Sequence, residues 1–357
     1  MPERGWRRAA AVSAVLVVLA AIGVVVWGVA TQREAPTPAA GAEFEPVLST
    51  LPAQVRPPAQ AVDLPTDRGV GRGALIYHQQ TDPEDLDPTG ATFERHDVYV
   101  VTVSGEQFRV GRTPEGVGPL NLSLSPDGRW LADRRDGRWR VRDLTGTAEH
   151  EVTNEYELDV WSTDARSALF MKPDMDGRGY AVMALPDGEV RQLDMRTSAI
   201  SAEAGFINGR EIATYELVPT DHASEMTVKL TDIATLVTRR LTVGRQEMTE
   251  TAPPMLALWY AGGSPPTIWV HAPSKSGQGT LLGVDVKTGA ATAGIEVRTV
   301  PGQSAELCRG VVPEGVVLQR MTTTTTELVV VDPHNGARRV VTTFPRLVNL
   351  LVPGARI

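Results

Sequence analysis

The sequence predicts an all-β fold, a β-propeller of six blades, preceded by one N-terminal transmembrane helix. Three observations carry the propeller. From about Gly69 onward no stretch shows a 3.6-residue apolar period; short β-branched runs alternate instead with Gly, Pro, Asp and Asn clusters. Two kinds of strand follow one another repeatedly. Each pair then closes on a tight turn, and successive turns start 41 to 54 residues apart, the repeat length of propeller blades.

Composition sets the outer bounds. The chain has 357 residues, 42% hydrophobic and 22% charged, enough for one large domain with a core. Its 33 glycines and 26 prolines make it turn-rich without low complexity. A net charge of −8 with only 5% aromatics excludes a nucleic-acid partner, which needs basic patches and stacking rings. Only Lys172, Lys229, Lys275 and Lys287 are lysines among 35 basic residues, and Ala, Gly, Val and Pro abound. This usage looks like GC-rich, actinobacterial coding. Cys308 is the single cysteine, so no intramolecular disulfide and no multi-cysteine metal site is expected. It reads as a small buried hydrophobe.

The N-terminus supplies an address. Ala9 to Val29 carry no charge, and at 1.5 Å per residue such a run spans a bilayer of roughly 30 Å. Arg4, Arg7 and Arg8 precede it, and Trp6 and Trp27 stand near its ends. The expectation is a basic cytoplasmic tail (1–8), a membrane helix (9–30) and an exported remainder, single-pass with the N-terminus inside. The alternative is secretion after cleavage near Ala30, where Gly28 and Ala30 are the small residues a cut requires. Residues 31–68 hold seven prolines and read as an extended linker standing the domain off the membrane.

Residues 69–357 hold the propeller. The first strand type is 74–79, 130–135, 168–173, 211–217, 267–273 and 315–321; the second is 97–103, 139–144, 180–185, 227–233, 281–286 and 327–332. The turns after the second type include Asp187-Gly188 and Asn335-Gly336, which supply the positive φ of tight hairpins. The repeat starts in mid-blade. The apolar run 347–352 is therefore expected to pair beside 74–79 and seal the ring. A seventh blade would have to draw on residues 42–64.

One copy carries a resemblance. LSLSPDGRWLADRRDGRWRVRDLTG (122–146) resembles the WD40-like repeat of TolB-type propellers and of prolyl-oligopeptidase-type enzymes. Ser125, Pro126, Asp127 and Gly128 match its first turn, Trp130 its strand start, and Asp136 and Gly137 its second turn. The copy at Ser162-Thr163-Asp164-Ala165 has alanine where the family has glycine. The resemblance implies a fold and not an activity. Physically, Pro126 presets φ, Asp127 and Gly128 close the hairpin, and Trp130 should fill the gap between blades.

No reaction is announced. There is no G-x-S-x-G elbow, no phosphate-binding glycine loop, and the six histidines are scattered. Neither a catalytic set nor a cofactor is expected. The only metal candidates are weak: Asp82, Asp85 and Asp87 in one loop, and Asp174 and Asp176 in PDMDGRG, which lacks the later ligands of a Ca²⁺ loop. The expected function is a membrane-tethered scaffold or sensor binding an envelope protein or ligand on a propeller face. The alternatives are an enzyme with a metal or acid site in the channel and a purely architectural envelope component.

Overall fold

Antiparallel strands joined by short turns need neighbours on both faces, and the chain meets this need by stacking sheets around an axis. The computed structural model describes residues 46–79, 96–112, 121–153, 155–174, 177–197, 205–207, 209–219, 224–243, 259–261, 267–273, 279–297, 299–300, 304–346 and 348–355. The membrane run, the basic tail and the cleavage position near Ala30 lie outside these residues. Among the described residues no helix is long and apolar enough to cross a membrane.

Six sheets follow in chain order. Blade 1 holds β1 (Gly73–Gln79), β2 (Asp97–Thr102) and β3 (Gln107–Arg112). Blade 2 is β4 (Leu122–Leu124), β5 (Trp130–Arg135), β6 (Arg138–Asp143) and β7 (Glu149–Val152). Blade 3 is β8 (Glu157–Trp161), β9 (Ser167–Asp174), β10 (Gly177–Ala184) and β11 (Val190–Thr197). Blade 4 is β12 (Gly205–Ile207), β13 (Glu211–Pro219), β14 (Ser224–Asp232) and β15 (Thr238–Val243). Blade 5 is β16 (Trp259–Ala261), β17 (Thr267–Pro273), β18 (Gly279–Asp285) and β19 (Ala291–Val297). Blade 6 is β21 (Ser304–Val312), β22 (Gly315–Met321), β23 (Thr326–Val331) and β24 (Arg338–Phe344), with the two-residue β20 (Thr299–Val300) added beside β21. The six runs of the first predicted type are each blade's second strand, and those of the second type its third.

The ring closes as the sequence implied. β25 (Val348–Leu351) pairs antiparallel with β1, setting Ile76 opposite Leu351 and Tyr77 opposite Leu350. It completes blade 1 as the innermost strand, so the two ends of the propeller share one sheet.

Burial follows position in the blade. The second strand β22 is buried at five consecutive residues, on both faces, because a blade lies on either side. The outermost β7 is buried only at Val152. Apolar clusters fill the seams. Val100, Phe108 and Ile76 of blade 1 meet Leu124, Leu131 and Leu144 of blade 2. Trp130 and Trp139 of blade 2 meet Trp161, Ala168 and Phe170 of blade 3, so Trp130 does fill the gap assigned to it.

The linker reading is corrected for residues 46–68. They are strapped onto the propeller and do not stand away from it. Val47, Leu48 and Val55 are buried in the cluster between blades 6 and 1, with Leu51 beside them. The strap runs parallel to outer strands, with Gln54 beside Thr343 of β24 and Asp63 beside Arg109 of β3. It then reaches blade 2, where Arg142 donates to the carbonyls of Pro65 and Arg68. Prolines deny the strap the donors of a full strand, so it bonds intermittently, and its spaced aliphatic residues supply the attachment. The described part, 46–64, forms no seventh blade.

Candidate functional site

The repeat motif is a turn built from side chains. In blade 2 the Ser125 hydroxyl donates to Asp127 Oδ1 at 2.5 Å and accepts from the Trp130 amide at 2.8 Å. Asp127 Oδ1 also accepts from the Arg129 amide at 3.0 Å. Gly128 takes φ 71°, and a Cβ there would lie 2.0 Å from the Gly73 carbonyl oxygen of blade 1, so only glycine fits. Pro126 packs beside Gly354 of the closing segment. Blade 3 repeats the turn with Ser162 donating to Asp164 at 2.6 Å and Ala165 forced to φ 54°. At the other end of blade 2, Asp136 and Gly137 take φ 52° and 79°, the paired positive values of a type I′ hairpin.

Superposing blades by hydrogen bonding exposes a second repeated feature. The carbonyls of Arg72, Arg129, Arg166 and Arg210 each accept from the residue just past the third strand: Val103, Leu144, Leu185 and Ile233. These arginines are therefore equivalent. The residue ending the third strand donates its amide five residues on in blades 2, 3 and 4, from Asp143, Ala184 and Asp232. In blade 2, Arg129 binds Asp143 Oδ2 at 2.7 Å; in blade 4, Arg210 binds Asp232 Oδ2 at 2.6 Å. In blade 3 that carboxylate is missing, because Ala184 stands in its place. Arg166 is exposed and has no ion-pair partner among the described residues.

The paired carboxylates are held ionised. Burial acts to raise Asp143 and Asp232, but the bonds from Arg129 and Thr145, and from Arg210 and the Thr235 and Ala234 amides, outweigh it and leave both below the usual carboxylate range. The bond to Asp143 in turn holds Arg129 above its usual value.

A cavity of about 460 Å³ opens where blades 2 and 3 meet, at the end bearing these turns. Asp127, Arg129 and Trp130 line it from blade 2; Asp164, Ala165, Arg166, Leu185 and Pro186 line it from blade 3. Arg129 lies over the Trp130 ring at 5.1 Å. His150 of β7 braces the far wall, its Nε2 at 2.7 Å from the Pro186 carbonyl and its ring 5.9 Å from that of Trp130. The cavity thus joins an apolar wall to a rim of both charges.

Of the residues singled out in the sequence, Asp127 and Trp130 reach this cavity, Ser125 and Gly128 shape its rim turn, and Asp136 and Gly137 lie at the opposite end of the blade. Asp82, Asp85, Asp87 and Asp176 lie outside the described residues, and Asp174 ends β9 opposite Gly177. Among the described residues no three His, Cys, Asp or Glu side chains gather as metal ligands. Sequence reading missed Arg129, Arg166 and Arg210. The signal was present, since an arginine follows each first turn in DGRW, DARS and NGRE.

Strand order, blade count and closure define a six-bladed β-propeller protein. No family model and no curated protein sequence matches the chain. Its fold is similar to that of TolB from Acinetobacter baumannii, at 15% identity and a TM-score of 0.48, over 79% of this chain and 65% of that one. The matched region is thus just under two thirds of that TolB. The propeller of the trilobed protease from Pyrococcus furiosus is similar at 12% identity and a TM-score of 0.44, over 80% and 84% of the two chains. An oligogalacturonate lyase from Vibrio parahaemolyticus is similar at 13% and 0.41, over 77% and 79%. Likeness at this level concerns the fold alone.

Proposed function

We propose that the protein is a membrane-tethered, exported propeller that binds a protein partner without catalysing a reaction, and that the cavity between blades 2 and 3 is its binding site. The cavity carries this reading. It combines an apolar wall with charged groups of both signs at an open rim, which suits recognition. Its hydroxyl and carboxylate groups are also committed elsewhere. Ser125 and Ser162 are spent on their turns, Asp127 and Asp164 are bonded by those serines, and Arg129 is paired with Asp143. Both serines are fully buried, so neither hydroxyl is presented to the cavity as a nucleophile. The uncharged run at 9–29 with arginines before it supports the tether and the export.

Photo-cross-linking of the full-length protein in its native cells tests the reading. A photoreactive residue replaces Asp187, next to the cavity wall, and in a second strain Asp136, at the opposite end of blade 2. A discrete cross-linked partner from position 187 alone is the expected result. Equal labelling from both positions, or none from 187, refutes it.

A further inference from the structure

We infer that the cavity recognises a carboxylate carried by an acidic peptide segment, with Arg166 as the pairing group. This rests on the binding reading above and gives it a chemistry. Blade 3 stands in contrast with blades 2 and 4; blade 1 also lacks the aspartate, ending its third strand on Thr102, but its Arg72 does not line the cavity. Blades 2 and 4 each neutralise the arginine after the first turn with an aspartate ending the third strand, Asp143 and Asp232. Blade 3 keeps the arginine and replaces the aspartate with Ala184, whose amide makes the same bond to the residue five positions on. Blade 3 thus keeps the arginine without the carboxylate, and Pro186 stands where blades 2 and 4 have the Thr145 and Ala234 amides that bond it, so only the arginine side of the pair remains, in the blade whose arginine lines the cavity. A ligand carboxylate entering there would supply the arginine pairing that its neighbours make internally. Arginine suits this pairing because its planar fork can meet both oxygens.

The remaining lining selects a peptide over a small anion. Asp127 and Asp164 flank the site and repel a compact, multiply charged group such as phosphate. The carboxylate oxygens not bonded by the turn serines can instead accept backbone N–H groups of an extended segment. Leu185 and Pro186 offer a surface for an apolar side chain next to the acidic one.

The test uses the full-length protein in detergent and two unlabelled peptides, acetyl-Ala-Leu-Glu-Leu-Ala-amide and its glutamine counterpart, read by isothermal titration calorimetry. The glutamate peptide should bind roughly tenfold tighter or more, the value of a charge-assisted bond at an open site. Arg166→Gln should erase that preference. Ala184→Asp should erase it too, by supplying the carboxylate from within, while its thermal melt stays near that of the parent because position 184 is exposed. Equal binding of the two peptides, or a preference that survives Ala184→Asp, overturns the inference. If neither peptide binds while the cross-link from position 187 forms, the carboxylate inference fails and the binding reading stands. If both fail, both readings fall.

Discussion

Replacing Leu350 with alanine probes the seam where the two ends of the propeller meet. Leu350 stands opposite Tyr77 across the β25–β1 pair and is fully buried in a cluster that includes Tyr77, Leu328 and Phe344. Truncating a leucine in such a site costs about 2–5 kcal/mol, the lost transfer energy plus the cavity left behind. In a domain of this size each kcal/mol moves the melting temperature by roughly 2–4 °C, so a fall on the order of 10 °C is expected. Val237→Ala is the control, since that side chain is 66% exposed, and its melt should shift by no more than about 2 °C. Deleting residues 347–357 removes Val348, Leu350 and Val352, all fully buried, and the bond from Gln319 Nε2 to the Val348 carbonyl at 2.8 Å. Three such side chains contribute roughly 5–9 kcal/mol, comparable with the whole net stability of an ordinary domain. The deleted protein should lose its cooperative transition in differential scanning calorimetry. A Leu350→Ala protein melting within about 2 °C of the parent would refute closure by β25 as a source of stability.

Three further outcomes follow from the same geometry. Gly128→Ala should cost about 2–4 kcal/mol, from the positive φ and from a Cβ driven into the Gly73 carbonyl; an unchanged denaturant midpoint would contradict the described turn. Asp143 and Asp232 sit below their ordinary values, so their contribution is present above the unfolded pKa and is lost as pH falls through the lower folded value. Melting temperature should therefore hold from pH 7 to 5 and drop below about pH 4, with a shallower drop in Asp143→Asn; an unaltered slope in that variant would exclude the Arg129 pair as a cause. Cys308 is partly exposed, but burial of its sulfur pushes the thiol up to about 12. Thiol reagents should thus modify it slowly at pH 8 until denaturant is added, and equal rates in the native and unfolded protein would exclude that burial.

The fold was legible because its cause is local and repeated. Alternating β-branched runs and glycine turns need only a window of a few residues, so β5, β9, β13, β17 and β22 could be found one by one. Closure was legible from a surplus: an apolar run at 347–352 with no partner near it in sequence, and a first strand with no inner neighbour. The short inner strands β4, β12 and β16, three residues each, escaped notice because they are too brief for alternation to show. The strap misled for a related reason. Seven prolines argue against regular structure, and in the described part, 46–68, only the single 3-10 turn Leu48–Thr50 forms; but aliphatic residues at 47, 48, 51 and 55 dock by burial alone, which composition does not register.

The cavity could not be read the same way, since it depends on registering one blade against another. Arg129 and Asp143 lie 14 residues apart, Arg166 and Ala184 lie 18, and only their common backbone bonds reveal them as equivalent pairs. Once aligned, the pairs differ in what they require. The Asp143 side chain is only 6% exposed, and a buried carboxylate needs its arginine. Arg166 has no such obligation, because an exposed guanidinium is solvated at little cost. Stability should therefore depend on Arg129 and be indifferent to Arg166, while recognition of a carboxylate should depend on Arg166 and survive loss of the Arg129–Asp143 pair wherever blade 2 stays folded. Two arginines at one position of one repeat would then answer to different measurements, and that separation distinguishes a binding group from a structural one.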